Sequence, residues 1–209
     1  MIPARQALER LRKGNRRFVD SLGNPDTVTI RTRQHMALQL EQKPFAIILG
    51  CSDARVPAET VFDQGLGDLF VIRVAGNIVA SSQVGSVEFA VSRFETRLVV
   101  VLGHTQCGAI LATIEELQRP MENQSRFLRS IVDRVRPSVD GLMKTELRHD
   151  HDALVKNAVR SNVRLSVNHL RHGSEVLEQL GREQGLAVIG AEYCLETGVV
   201  DFFDGTDIH

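Results

Sequence analysis

The chain has no tryptophan, one tyrosine and three cysteines in 209 residues. Three cysteines, an odd number in a chain this long, do not make a disulfide framework. They fit a reducing compartment in which thiols serve as ligands or core residues. An excess of one charge is also missing: 25 basic and 26 acidic side chains give a formal net charge of -1, so the basic footprint of a nucleic-acid-binding domain is absent. No apolar run approaches the ~20 residues that a membrane-spanning helix needs. The first residues, Met1-Ile2-Pro3-Ala4-Arg5, lead into a charged stretch and not into the apolar core of a secretory signal. These absences predict a cytoplasmic protein with neither nucleic acid nor membrane as a partner. With no repeat or linker, one hydrophobic core over residues 1–209 is the expectation.

The pattern of apolar residues then sets the architecture. Ala4, Leu8, Leu11, Phe18 and Leu22 fall on one face of a helix over residues 3–22, opened by Pro3. The other face carries Arg5, Arg10, Arg12, Lys13, Arg16 and Arg17, which reads as a solvated face ahead of a membrane-surface helix. Gly23-Asn24-Pro25-Asp26 follows as a turn. From residue 45 onward, short runs rich in Val, Ile and Leu alternate with helical spacing. Strands are expected at 45–50, 69–74, 98–102, 186–191 and 199–203. Helices are expected around Val84 to Phe94, Ile110 to Leu117, Phe127 to Val135 and Leu154 to Leu170. Strands of this kind separated by helices imply βαβ units. The fold class is α/β, a mostly parallel central sheet flanked by helices, with an N-terminal helical arm at 1–40 and the α/β core at 41–209.

Two stretches carry the chemistry. Cys51-Ser52-Asp53-Ala54-Arg55 follows the apolar run that ends in Gly50, and His104-Thr105-Gln106-Cys107 follows the run that ends in Gly103. Ligands of parallel sheets collect outside the carboxyl ends of the strands, so Cys51 and His104 can be neighbours across 53 positions. Two thiols, an imidazole and a carboxylate suit Zn2+, and a site with three firm protein ligands keeps one position free for chemistry. Asp53 is close enough to Cys51 to reach the metal and close enough to Arg55 to form a bidentate pair. The two partners compete for it. Two other readings stay open at this level: Cys51 and Cys107 as core thiols beside a loop histidine, or a closed structural site completed by Cys194.

The Cys-x-Asp-x-Arg and His-x-x-Cys pair at this separation resembles the β-class carbonic anhydrases. The likeness runs from about Gln42 to Gly108 and includes Gly67 to Asn77 and Ser86 to Val91. The resemblance implies reversible hydration of carbon dioxide to bicarbonate and a proton by attack of zinc-bound hydroxide, with one Zn2+ per subunit. Cys51, His104 and Cys107 would be the ligands, and Asp53 and Arg55 a dyad gating the fourth zinc position. Gln42, Phe70, Ala75, Phe89 and Gly108 would line the carbon dioxide pocket, some of them across a dimer interface. It also implies a homo-oligomer, a dimer or a dimer of dimers, in which the N-terminal helix embraces a partner.

The chain departs from that family at a few positions. Ala54 replaces a commoner serine whose side chain is not a ligand, and Phe89 stands where many relatives carry tyrosine. Some members bind an inhibitory bicarbonate through tryptophan, arginine and tyrosine. Arg73 and Tyr193 match, but Ile48 occupies the tryptophan position, so that second site is expected to be absent or weak. The rival functions are a related zinc hydrolase acting on carbon disulfide and a non-catalytic zinc-binding or sensor protein. Of the other histidines, His149-Asp150-His151-Asp152 reads as a capped helix start, and His169 and His172 as exposed polar residues.

Overall fold

The computed structural model describes residues 2–22, 42–119 and 125–208. The turn expected at 23–26 lies outside them. In chain order the regular elements are α1 (Ala4–Leu22), β1 (Ala46–Gly50), α2 (Ala58–Val61), β2 (Leu69–Arg73), α3 (Ser81–Phe94), β3 (Leu98–His104), α4 (Gly108–Gln118), α5 (Arg126–Asp140), α6 (His151–His172), α7 (Glu175–Gln184), β4 (Ala187–Tyr193) and β5 (Val200–Asp204). A short 3-10 turn, Ala75–Asn77, follows β2. Among the described residues no helix is long and apolar enough to cross a membrane.

The five strands form one sheet in the order β2-β1-β3-β4-β5. The first four in this order are parallel, and β5 closes the edge antiparallel to β4. Their continuous apolar runs are explained by cover on both faces. Ile48, Val100, Leu102, Ile189 and Ala191 face one layer with Leu8 and Leu11 of α1 and Phe62 just after α2. Ile47, Leu49, Val99 and Val101 face the other with Val87 and Val91 of α3 and Val163, Val167 and Leu170 of α6. From β1 the chain moves to β2 on one side, then returns to β3 on the other. The crevice at the carboxyl ends of β1 and β3 is therefore the switch point where such sheets bind ligands.

β3 continues two residues beyond the run that ends at Leu102. Gly103 and His104 pair with Glu192 and Tyr193 of β4, so Gly103 lies within the strand and does not terminate it. The reason is the close approach of α6: a Cβ at Gly103 would sit 2.6 Å from Val163 Cγ2 and 3.4 Å from Val159 Cγ1. Gly50 is different, since a Cβ there would meet only Leu102 O at 3.9 Å. Gly103→Ala is expected to push α6 off the sheet beside His104 and to destabilise the fold by about 1–3 kcal/mol. Thermal denaturation reads this, with Gly50→Ala as the mild comparison.

The apolar face of α1 packs on the chain's own sheet, with Ala4, Ala7, Leu8 and Leu11 buried. Its buried Asn15 ties the helix to two distant segments. Nδ2 donates to Val61 O at 3.1 Å and Gly198 O at 2.8 Å, and Oδ1 accepts from Val200 N at 2.9 Å. Part of the basic face is engaged within the chain, Arg10 with Asp68 and Arg17 with Asp63.

Candidate metal centre

Cys51 leaves the carboxyl end of β1, His104 ends β3, and Cys107 is the residue immediately before α4. These are neighbouring strands with Gly50 opposite Leu102, which is why the three side chains meet. Their donor atoms all lie within 4.8 Å of one another, and all three residues are buried. The two sulfurs are 3.9 Å apart, close to the ~3.8 Å expected for two ~2.3 Å metal–thiolate bonds at a tetrahedral angle. His104 Nδ1 is 2.9 Å from Thr105 O. Donation to that carbonyl places the proton on Nδ1 and leaves the Nε2 lone pair facing the sulfurs. Nε2 is fully buried with no hydrogen-bond partner, an arrangement that a metal ion satisfies. Two thiols and an imidazole in this geometry fit a zinc ion.

The sulfurs are unequal as thiols. The hydrogen bond from Cys107 lowers the Cys51 pKa against the opposing effect of burial, with further help from the N–H groups of Gly76 and Asp53. Cys107 is pushed up by the same bond and by burial. One proton is thus shared by the pair, and a divalent cation is what allows both to be thiolates.

Asp53 flanks the cluster. Its Oδ2 is 3.8 Å from His104 Nε2 and accepts from Arg55 Nη2 at 2.7 Å, while Oδ1 accepts from Arg55 Nε at 2.9 Å and Arg55 N at 3.0 Å. The guanidinium holds this carboxyl well below the usual carboxylate range. Arg55 itself is exposed. The loop is fastened from β2, where Arg73 donates from Nε to Cys51 O at 3.1 Å and from Nη2 to Asp53 O. Arg73 therefore grips the loop from Cys51 to Asp53. Of the other two residues matched to the second bicarbonate site, Ile48 is fully buried and Tyr193 lies in the same apolar cluster.

The five residues expected to line the pocket divide into two groups. Ala75 begins the turn whose next residue, Gly76, donates from its N–H to Cys51 Sγ at 3.4 Å, and Gly108 follows Cys107 directly. Both are at the cluster. Phe70 sits one residue into β2, opposite Ile47, and packs with Phe89 and Phe94 at ring separations of 6.1 and 5.9 Å. Gln42 precedes β1 and lies against Gly67. At ~3.3 Å per strand residue, Phe70 is about 10 Å from the site end of β2. Within one chain Gln42, Phe70 and Phe89 are therefore at the far end of the sheet from Cys51.

Among the described residues, Cys51, His104 and Cys107 form the one group of three or more His, Cys, Asp or Glu donors close enough to share an ion. Cys194 is not in it. Thr197 is its main partner and lowers its pKa. Asp150 caps α6 by accepting from Ala153 N at 3.0 Å, as expected for that histidine-aspartate run, and His169 and His172 are exposed. Sequence reasoning missed Gly76, the Thr105 carbonyl, and Asn162 and Ser166 of α6. The last two had a signal: they are polar residues on the stripe that buries Val155, Val159, Val163 and Val167.

A mostly parallel α/β sheet with a Cys-His-Cys donor set at its switch point, beside an aspartate–arginine pair, defines a class of metal-centre proteins. The carbonic anhydrase family model matches residues 46–200, and the chain belongs to the β-class carbonic anhydrases. It is 38% identical over 203 residues to carbonic anhydrase 2 of Mycobacterium tuberculosis, covering 92% of this chain and 89% of that one. It is 37% identical over 195 residues to a carbonic anhydrase of Mycolicibacterium smegmatis, covering 93% and 91%. Among solved structures, a β-carbonic anhydrase of Aspergillus fumigatus superposes with a TM-score of 0.73 at 25% identity, over 90% of this chain and 91% of that one. A tetrameric β-carbonic anhydrase of Sordaria macrospora shares the fold, with a TM-score of 0.72 at 22% identity over 88% and 89%.

Proposed function

We propose that the chain catalyses the reversible hydration of carbon dioxide, CO2 + H2O giving HCO3- and H+, at a zinc ion held by Cys51, His104 and Cys107. The observation that carries this reading is the unpartnered, buried Nε2 of His104 facing two sulfurs 3.9 Å apart, with the Asp53 carboxylate 3.8 Å from that nitrogen. When bound, zinc supplies Lewis acidity that makes water a nucleophile near neutral pH.

The remaining work belongs to the chain. Asp53 is the gate. While its two oxygens accept from Arg55, the carboxylate would be withheld from a bound zinc ion. Held ionised by that pairing, the carboxylate accepts a hydrogen bond from the attacking oxygen and turns its lone pair toward carbon dioxide. Ala75 and Gly108 form the near wall of the carbon dioxide pocket. Gln42, Phe70 and Phe89 act in the pocket of a second copy. The edge strand β2 supports this, because an antiparallel, twofold pairing of two β2 edges would carry the far end of one strand to the site end of the other. The working form is thus a homo-oligomer, a dimer or a dimer of dimers, and three free thiols fit a cytoplasmic location. One domain over the whole chain suffices for this activity.

A stopped-flow assay tests the proposal by following proton release from carbon dioxide, with hydrolysis of carbon disulfide measured on the same sample. Rapid hydration of carbon dioxide is expected. Turnover of carbon disulfide alone, or stoichiometric zinc with neither activity, would overturn it.

A further inference from the structure

The turn after β2 holds two consecutive left-handed residues, Gly76 at φ 69° and Asn77 at φ 43°. Asparagine tolerates this region at a cost and glycine freely, but a run of two needs support from outside the turn. Glycine is required at the first position for a second reason: a Cβ there would lie 3.0 Å from Ala109 Cβ and 3.4 Å from Val135 Cγ2. The support comes from α6. Asn162 Nδ2 donates to Gly76 O at 2.8 Å, and Ser166 Oγ donates to Asn77 O at 2.9 Å. Both side chains are buried among valines. The turn they hold is the one that aims Gly76 N–H at Cys51 Sγ, 3.4 Å away.

We infer that Asn162 is a positioning residue for the metal centre, holding the 75–77 turn so that the Gly76 amide donates to the Cys51 sulfur and draws electron density from it. This rests on the reading of Cys51, His104 and Cys107 as metal ligands. Its chemical purpose follows from the donor set. Two thiolates cancel the formal charge of a divalent ion and weaken it as a Lewis acid, and a hydrogen bond to a ligating sulfur reduces that donation. Asn162 is not itself a ligand; it acts through Gly76, holding its carbonyl while the N–H of the same residue meets the sulfur, from a helix 86 positions further along the chain.

Cobalt(II) titrated into the metal-stripped full-length chain reads the sulfur directly, through the near-ultraviolet thiolate-to-cobalt charge-transfer band. Asn162→Leu and the milder Asn162→Ser are expected to bind one cobalt per chain and to shift that band to longer wavelength, because a thiolate freed of its hydrogen bond donates more strongly. In the zinc-loaded variants kcat is expected to fall about tenfold with KM little changed. Ser138→Ala is the control for a merely structural effect. It removes a buried hydroxyl that donates to Val135 O within α5, and should lower thermal stability while leaving the band in place. If Asn162→Leu does not fold, Asn162→Ser decides. Asn162 variants that lose stability but keep the wild-type band overturn the inference. A wild-type chain with no thiolate–cobalt band overturns the metal-centre reading beneath it instead.

Discussion

Asp53→Asn is expected to retain one zinc per chain and to lose about 100-fold in carbon dioxide hydration, the upper range for groups that orient a metal-bound reactant. The substitution is nearly isosteric, and asparagine Oδ1 can still accept from Arg55 N, which now donates to Asp53 Oδ1 at 3.0 Å. The loop held by Arg73 should therefore stay in place. What is lost is the anionic acceptor: a side-chain amide donates from one of its two ends, so it cannot take both Arg55 bonds at 2.9 and 2.7 Å. Nor does it carry the negative charge that orients the attacking oxygen. Zinc content and stopped-flow rates measured on one sample give the result, and full turnover in the variant would remove Asp53 from the mechanism.

Cys51→Ser is expected to lower zinc affinity by more than about 100-fold, beyond the range for residues that only support ligands. A serine hydroxyl stays protonated near neutral pH and is a hard donor, where the site offers a thiol whose pKa is lowered by the neighbouring Cys107. Cys194→Ser is expected to keep full zinc, because Cys194 lies outside the Cys51, His104 and Cys107 cluster. Metal analysis after dialysis against a competing chelator separates the two. Zinc loss in the Cys194 variant would restore the closed three-cysteine site that spacing alone allowed.

Much of this centre was legible in the chain itself. Buried strands announce themselves as runs of Val, Ile and Leu, and residues just after such runs fall at one end of a parallel sheet, which is how Cys51, His104 and Cys107 were placed together. The limits were equally physical. Gly103 marks a close helix contact inside β3, and no local pattern distinguishes that from the end of a strand. The basic face of α1 is solvated as read, but its ion pairs with Asp63 and Asp68, from the segment between α2 and β2, exist only once the sheet has formed. Gln42, Phe70 and Phe89 came from family likeness, and their position at the far end of β2 could be seen only in three dimensions. Asn162 and Ser166 stood out only as polar residues on a buried valine stripe, and that pattern does not say which carbonyls they hold.

Catalysed hydration is expected to depend on zinc at this one centre. Stopped-flow hydration of carbon dioxide, measured on metal-stripped protein as zinc is returned in steps, tests it most directly. The rate should rise in proportion to bound zinc and level off at one ion per chain. Full activity in the stripped protein, or saturation with zinc at an unchanged uncatalysed rate, would contradict it.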